Sequence, residues 1–136
     1  MKHTKISPHF TLEEFACNDG ASYPEEWIDS RLIPLCKNLE VIREAVGKPM
    51  IITSAYRTPS WNSKQGGAKK SQHLGGRAVD FYCKDVKPSQ IVRILKKLMD
   101  EGKITIGGIG LYNGFVHYDI RGSRVLWTSK RKRGQV

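Results

Sequence analysis

Long apolar runs are missing from this sequence of 136 residues. None approaches the roughly 18 residues that a membrane-spanning helix requires. The stretch from Met1 to His9 also has no apolar segment of the kind found in signal peptides. We therefore expect a soluble protein that is made in the cytoplasm. Apolar residues still make up 39% of the chain, which is enough for one compact domain over residues 1–136.

Cysteine is also scarce, with three residues in the whole chain. Cys17, Cys36 and Cys83 lie far apart and form no Cys-x-x-Cys pair, and an odd number cannot complete a disulfide framework. This pattern argues against a thiolate zinc knuckle and against a disulfide-stabilised scaffold. We expect all three residues to be buried free thiols.

Acidic residues are outnumbered by basic ones, and the formal net charge is +10. No acidic residue follows Asp119, and we expect a basic C-terminal tail over about residues 124–136, either frayed in solvent or bound to an anionic partner. Nucleic acid, an anionic cell-wall polymer and lipid headgroups would all fit this charge. Nucleic acid is the least favoured of these partners, because basic and aromatic residues do not interleave on one predicted face. The basic residues after Asp119 are Arg121, Arg124, Lys130, Arg131, Lys132 and Arg133.

Three segments have helical patterns. Thr11 to Glu14 has the form of a capping box and predicts a short helix. A longer helix is predicted over about residues 34–46, with apolar residues at helical spacing and Gly47 as its C-terminal cap. The third helix is expected to begin at Pro88 and to end near Gly102. The polar segment 57–71 is predicted to be a loop.

Strand patterns fill much of the remaining chain. Residues 50–54 and 78–82 form short apolar, β-branched runs. Two further runs are joined by Asn113-Gly114, which predicts a hairpin with a type I′ turn. Helices that are segregated from hairpins indicate an α+β fold, a mainly antiparallel sheet flanked by helices.

A histidine and a carboxylate lie seven residues apart around a Gly-Gly pair, as His73 and Asp80. A tight turn at the glycines would let both side chains converge on one cation. Strand alternation places Asp80 on the face opposite its apolar neighbours. The same alternation puts His117 and Asp119 together on one face of the last predicted hairpin strand.

Three protein ligands that leave a fourth position open are typical of a catalytic zinc ion. His73, Asp80 and His117 form such a candidate set. The bare spacing is also compatible with ordinary hydrogen-bonded histidines and a turn-forming aspartate.

The pattern Ser-x-His-x-x-Gly-x-Ala-x-Asp at residues 71–80, followed by a strand-borne His117, resembles the zinc D-Ala-D-Ala carboxypeptidase and L-alanyl-D-glutamate endopeptidase family. That family shares its fold with the hedgehog signalling domain. The residues Ser54-Ala55-Tyr56-Arg57-Thr58-Pro59 with Asn62 are similar to the family's serine–x–tyrosine–arginine turn, and the segment from Phe10 to Phe15 is similar to its N-terminal helix.

The resemblance implies that His73, Asp80 and His117 bind Zn²⁺. It also implies that Arg57 lies in the substrate cleft, where a guanidinium could hold a carboxylate or a developing oxyanion. A strand-end arginine paired with a surface acid is the alternative. Ser71 and Gln72 are candidate substrate contacts, with ordinary loop hydrogen bonding as an equal alternative.

The chain departs from many relatives at Gly114, where they carry a catalytic glutamate three residues before the last histidine ligand. A general base is still required, and Asp119, beside His117, is the predicted base. A role in ligating the metal or orienting a ligand is the alternative for Asp119.

Together these observations predict a zinc peptidase that hydrolyses an amide bond in peptidoglycan peptides. Its size and the missing signal peptide are similar to those of a phage endolysin that acts on the bacterial cell wall, in the host periplasm or from the virion, and its basic tail could contact the anionic envelope. The alternative is a non-catalytic, zinc-containing binding module of hedgehog type, which Gly114 favours.

Overall fold

The computed structural model of the protein describes residues 4–132, and side chains as far as residue 130. A two-stranded antiparallel ribbon, β1 (Lys5–Ser7) and β2 (Phe10–Thr11), precedes a short 3₁₀ helix, Leu12–Phe15. The Glu14 carboxylate accepts the backbone N–H of Thr11 at 2.8 Å, as the predicted capping box requires.

The predicted long helix is confirmed as α1 (Ile33–Val46), which ends where Gly47 adopts a left-handed φ of 77°. A 3₁₀ turn (Glu25–Trp27) and a π-helical turn (Ile28–Leu32) lead into it. Helix α3 (Pro88–Asp100) is confirmed as well.

The expectation of a simple loop over residues 57–71 is wrong in part. A short helix, α2 (Pro59–Lys64), lies inside this segment. Thr58 caps it by accepting the backbone N–H of Trp61, and Pro59 occupies its first turn. A 3₁₀ turn, Gln72–Gly75, follows and carries His73.

Five strands form the main sheet, in the order β3-β4-β6-β5-β7. The neighbouring pairs β3–β4, β4–β6 and β6–β5 are antiparallel, and β5–β7 is parallel, so the predicted α+β fold with a mainly antiparallel sheet is confirmed. The strands are β3 (Ile51–Ser54), β4 (Ala78–Tyr82), β5 (Gly108–Asn113), β6 (Phe115–Asp119) and β7 (Val125–Lys132).

The hairpin β5–β6 forms as predicted, but its turn is not of type I′. Gly114 has a φ of 89°. In the described part of the chain, Asp85 is the only residue other than glycine that has a positive φ. Asn113, which also pairs with Lys132 of β7, has a negative φ. Positive φ at the second central position alone is the pattern of a type II turn.

The basic segment is not a frayed tail as far as the structure describes it. Residues 125–132 form β7, which pairs in parallel with β5 and is an edge strand of the sheet. The rest of the expected tail, residues 133–136, lies outside the described residues. No helix in the described part of the chain is long and apolar enough to cross a membrane.

One face of the sheet packs against α1 and α3 and forms the core. All three cysteines are buried and free, as expected, and Cys83 lies in this core. The opposite face is left for polar residues. Sheet residues that point into the core are Val79, Phe81, Ile109, Val116 and Tyr118.

Candidate metal centre

A row of residues crosses the polar face of the sheet. Strand pairing places Asp80 directly opposite His117, and His117 directly opposite Gly110. The row continues to Ser54 on β3 and to Trp127 on β7. Because cross-strand partners share a face, this pairing alone brings a carboxylate and an imidazole together.

His73 reaches the row from the 3₁₀ turn above β4. Its Nε2 lies 3.1 Å from Asp80 Oδ1, and His117 Nδ1 lies 3.1 Å from the same oxygen. One potential ligand atom from each of these three residues lies within 4.8 Å of the others, and all three side chains are buried. The structure therefore brings the predicted ligand set together.

The second nitrogen of each imidazole has an acceptor of its own. His73 Nδ1 lies 2.6 Å from the carbonyl oxygen of Ala55, and His117 Nε2 lies 2.7 Å from Asp119 Oδ2. These oxygens only accept, so each facing nitrogen carries the proton. In the neutral imidazoles, His73 Nε2 and His117 Nδ1 then direct lone pairs at Asp80.

Three acceptors that face one another repel unless a positive charge lies between them. The buried donor set of two nitrogens and one carboxylate oxygen is one that Zn²⁺ accepts, and the residues behind it fix each ring in the ligating tautomer. The observed contacts therefore fit a divalent metal ion.

Electrostatics favour a charged carboxylate here. Burial acts to raise the pKa of Asp80, but His73 and His117 outweigh it and hold the pKa well below its usual range. For His73, burial dominates and lowers the pKa, so the ring is neutral near pH 7. For His117, burial acts to lower the pKa, but the neighbouring carboxylates of Asp119 and Asp80 raise it above its ordinary value.

Arg57 lines the cleft above this centre and is only 2% exposed. Its Nη2 lies 3.6 Å from Asp80 Oδ2, and its Nη1 donates to Asn62 Oδ1 at 3.2 Å. Burial lowers the pKa of Arg57. The structure thus places Arg57 at this cleft, where its guanidinium also holds the second oxygen of Asp80 in place.

Ser71 and Gln72 also line the cleft, but Ser71 has a structural task as well. Its Oγ accepts the backbone N–H of His73 at 3.2 Å and caps the 3₁₀ turn. The carbonyl oxygen of Gln72 accepts the backbone N–H of Arg77 at 3.2 Å. Ordinary loop hydrogen bonding, the alternative for these two residues, is thus present at both.

Asp119 lies behind His117 and is fully enclosed, with an exposure of 0%. Its carboxylate accepts from His117, from the backbone N–H of Gly108 at 2.9 Å and from the Arg121 guanidinium at 2.7 Å. Burial acts to raise the pKa of Asp119, but these partners hold it well below its usual range. This environment fits a carboxylate that orients His117 better than it fits the general base predicted from the sequence.

Sequence reasoning missed the residues on the far wall of the cleft. Trp127 lies with its ring 4.9 Å from that of His117, and its Nε1–H donates to the Tyr112 hydroxyl at 2.9 Å. The available signal was Gly110 inside a strand, since such a glycine often marks a close approach. A Cβ at Gly110 would lie 2.7 Å from both aromatic side chains.

The turn that carries His73 depends on Gly76, which has a φ of 68°. A Cβ there would lie 2.7 Å from the hydroxyl of Tyr23, which donates to the Gly76 carbonyl at 2.8 Å. The Gly-Gly pair therefore allows the predicted tight turn, and the hydrogen bond from Tyr23 stabilises it.

We expect Gly76→Ala to lower the free energy of unfolding by about 3 kcal/mol, from left-handed strain together with overpacking. Gly47→Ala is the matched control, because Gly47 also has a positive φ but no atom within 4 Å of the added Cβ. Strain alone should cost it about 1 kcal/mol. Urea unfolding of both variants measures the difference, and equal losses would show that the contact with Tyr23 is unimportant.

A cleft of about 470 Å³ opens beside the donor set, and its lining includes Arg57, His73, Tyr112, His117 and Trp127. No curated protein matches the chain closely enough to indicate a relationship. The sequence model of the family described as peptidase M15, however, matches residues 8–119, which include the whole donor set. The chain therefore belongs to the peptidase M15 family, whose members are zinc-dependent peptidases.

Proposed function

We propose that the protein is a zinc peptidase that hydrolyses an amide bond in the peptides of peptidoglycan. The observation that carries this proposal is the convergence of His73, Asp80 and His117 on one point, with both histidines lining an open cleft. The family match supports peptide hydrolysis, and the resemblance to murein carboxypeptidases and endopeptidases supports the choice of substrate.

In this account, His73 Nε2, Asp80 Oδ1 and His117 Nδ1 hold the metal. A bound zinc ion supplies a Lewis acid that polarises a carbonyl and lowers the pKa of a water ligand towards about 7. Ala55 and Asp119 fix the two imidazole rings, and Arg57 fixes Asp80. The guanidinium of Arg57 also offers a positive charge to a substrate carboxylate or oxyanion in the cleft.

The proposed place of action is the bacterial cell wall, in lysis or remodelling, with a phage endolysin as one setting. Lys130 on β7 is exposed and lies on the same strand as the cleft residues Trp127 and Ser129. A cationic strand beside the cleft would favour association with an anionic envelope, and this attraction should weaken as salt concentration rises.

The experiment is digestion of purified peptidoglycan by the zinc-loaded protein, with mass spectrometry of the released peptides. We expect new amino termini and carboxyl termini at one type of peptide bond, loss of release after chelation, and recovery when zinc is restored. The identity of the released fragments distinguishes a carboxypeptidase from an endopeptidase. Intact murein after incubation with stoichiometrically loaded protein would contradict the proposal.

A non-catalytic binding module of hedgehog type is the second candidate, and one observation favours it. None of the described residues that line the cleft is an aspartate or a glutamate, and Gly114 occupies the position of the expected glutamate. A binding module would retain zinc and pellet with insoluble murein without releasing peptides, which the same incubation measures.

A further inference from the structure

We propose that Tyr112 is a catalytic residue that protonates the leaving amine of the substrate, and that Trp127 is the residue that positions it. This inference rests on the proposed peptidase function. It answers a specific need, because an amine leaves a tetrahedral intermediate only after its nitrogen has received a proton.

The usual source of that proton, a carboxyl group, is not on the cleft surface that the structure describes. Asp119 is enclosed behind His117 and already accepts from several donors. Lys70 lines the cleft, but it is exposed and makes no hydrogen bond or ion pair with another described residue. Nothing in the described residues therefore holds its ammonium group in one place.

Tyr112, by contrast, is held from two sides. Its ring stacks on Phe115 at 4.4 Å between centroids and 14° between planes. Its hydroxyl oxygen accepts the Trp127 indole N–H at 2.9 Å. Gly110 leaves room for both aromatic side chains, since a Cβ would lie 2.7 Å from each. A phenol fixed in this way is preorganised on the cleft wall.

Two neighbours favour the phenolate that remains after proton donation. The indole N–H of Trp127 points at the oxygen on which the negative charge develops. The buried guanidinium of Arg57 lines the same cleft as Tyr112 and brings a positive charge to it. A hydrogen-bond donor and a positive charge both stabilise the ionised form of an acid.

Trp127 also ties Tyr112 to the metal centre, because its indole ring packs against His117 at 4.9 Å. The Arg121 guanidinium lies 5.6 Å from the centroid of the same ring. The position of the phenol is therefore fixed relative to His117, and the reacting amide must lie near this metal ligand.

The protons balance with Tyr112, the substrate amide and water alone. As the C–N bond breaks, the Tyr112 O–H bond breaks with it, and its proton passes to the amine nitrogen. The proton that the attacking water loses passes to bulk solvent, and the phenolate takes one proton back from solvent after the amine has left. One water molecule is consumed, one carboxylic acid and one amine are produced, and Tyr112 ends as it began.

Tyr112→Phe tests the proposal, because it removes the hydroxyl and keeps the stacking ring. We expect kcat on a murein peptide to fall about 100-fold, the usual contribution of a general acid. KM should stay within about threefold and zinc content should be unchanged, because the cleft and the metal ligands are intact. Loss of the hydrogen bond from Trp127 should lower the unfolding temperature by only a few degrees. Tyr56→Phe is the control, since Tyr56 packs among Tyr23 and Trp27 rather than in the cleft, and it should match the wild type.

The decisive comparison uses an ester analogue of the same peptide. An alkoxide leaves with less need for a proton than an amine, so the Tyr112→Phe defect on the ester should be at least about tenfold smaller than on the amide. Trp127→Phe keeps a ring against His117 but removes the N–H donor, and it should reduce kcat on the amide about tenfold, again less on the ester.

Equal defects on amide and ester, or a Tyr112→Phe kcat within about threefold of the wild type, would overturn the assignment while leaving the peptidase function intact. A zinc-loaded wild type that cleaves neither substrate would overturn both the function and this inference.

Discussion

His73→Ala is expected to lose its zinc and, with it, hydrolysis. His73 Nε2 is one of the three proposed metal-ligand atoms from the protein. The carbonyl oxygen of Ala55 fixes the orientation of the ring through a hydrogen bond with Nδ1. Zinc sites gain about 10–16 kcal/mol from their full ligand set, so one lost ligand should weaken zinc binding on the order of a thousandfold. Competition with a fluorescent chelator measures that affinity, and peptide release measures turnover.

His9→Ala is the matched control. His9 is an exposed histidine whose Nδ1 pairs with Glu40 at 2.7 Å, outside the donor set. It should keep wild-type zinc affinity and turnover. A His73→Ala protein that still binds one zinc ion with unchanged affinity would show that the metal lies elsewhere.

Asp119→Asn is expected to weaken zinc binding about 10- to 100-fold, the usual consequence of removing an outer carboxylate from a metal-bound histidine. The carboxylate accepts from His117, Gly108 and Arg121 at the same time, and an amide cannot accept from all of them. His117 then loses the partner that fixes its tautomer. Zinc titration followed by activity at saturating zinc measures the effect.

The two roles considered for Asp119 give different results in that experiment. An orienting carboxylate predicts lower zinc affinity, with turnover largely recovered when zinc is in excess. A general base predicts unchanged affinity and lost turnover at every zinc concentration. Asp100→Asn is the control, because Asp100 is exposed and, among the described residues, forms its ion pair with Arg124 on the surface.

Short sequence patterns were sufficient to predict one long helix and several strands. Helical spacing with a glycine cap located α1, and apolar runs located β4 and the β5–β6 hairpin. The sequence predicts a tail where β7 forms, for two reasons. The strand pairs with β5, which is not its neighbour in sequence, and its charged residues mask the strand pattern. Such pairing depends on contacts that no local window contains.

Strand alternation correctly placed Asp80 and His117 away from the core, whereas the full ligand set with His73 was implied by the resemblance of residues 71–80 and His117 to a known family. The same reasoning placed Asp119 beside His117 but could not show that Arg121 and Gly108 enclose it. Trp127 and Tyr112 meet across β5 and β7, so the far wall of the cleft became visible only in the folded chain.

Anomalous diffraction at the zinc absorption edge, from crystals of the zinc-loaded protein, tests the central claim most directly. The account predicts one peak about 2.0–2.2 Å from His73 Nε2, from Asp80 Oδ1 and from His117 Nδ1, with a further position open to the cleft. A peak bonded to other residues, or full loading of the protein with no peak at these three atoms, would contradict it.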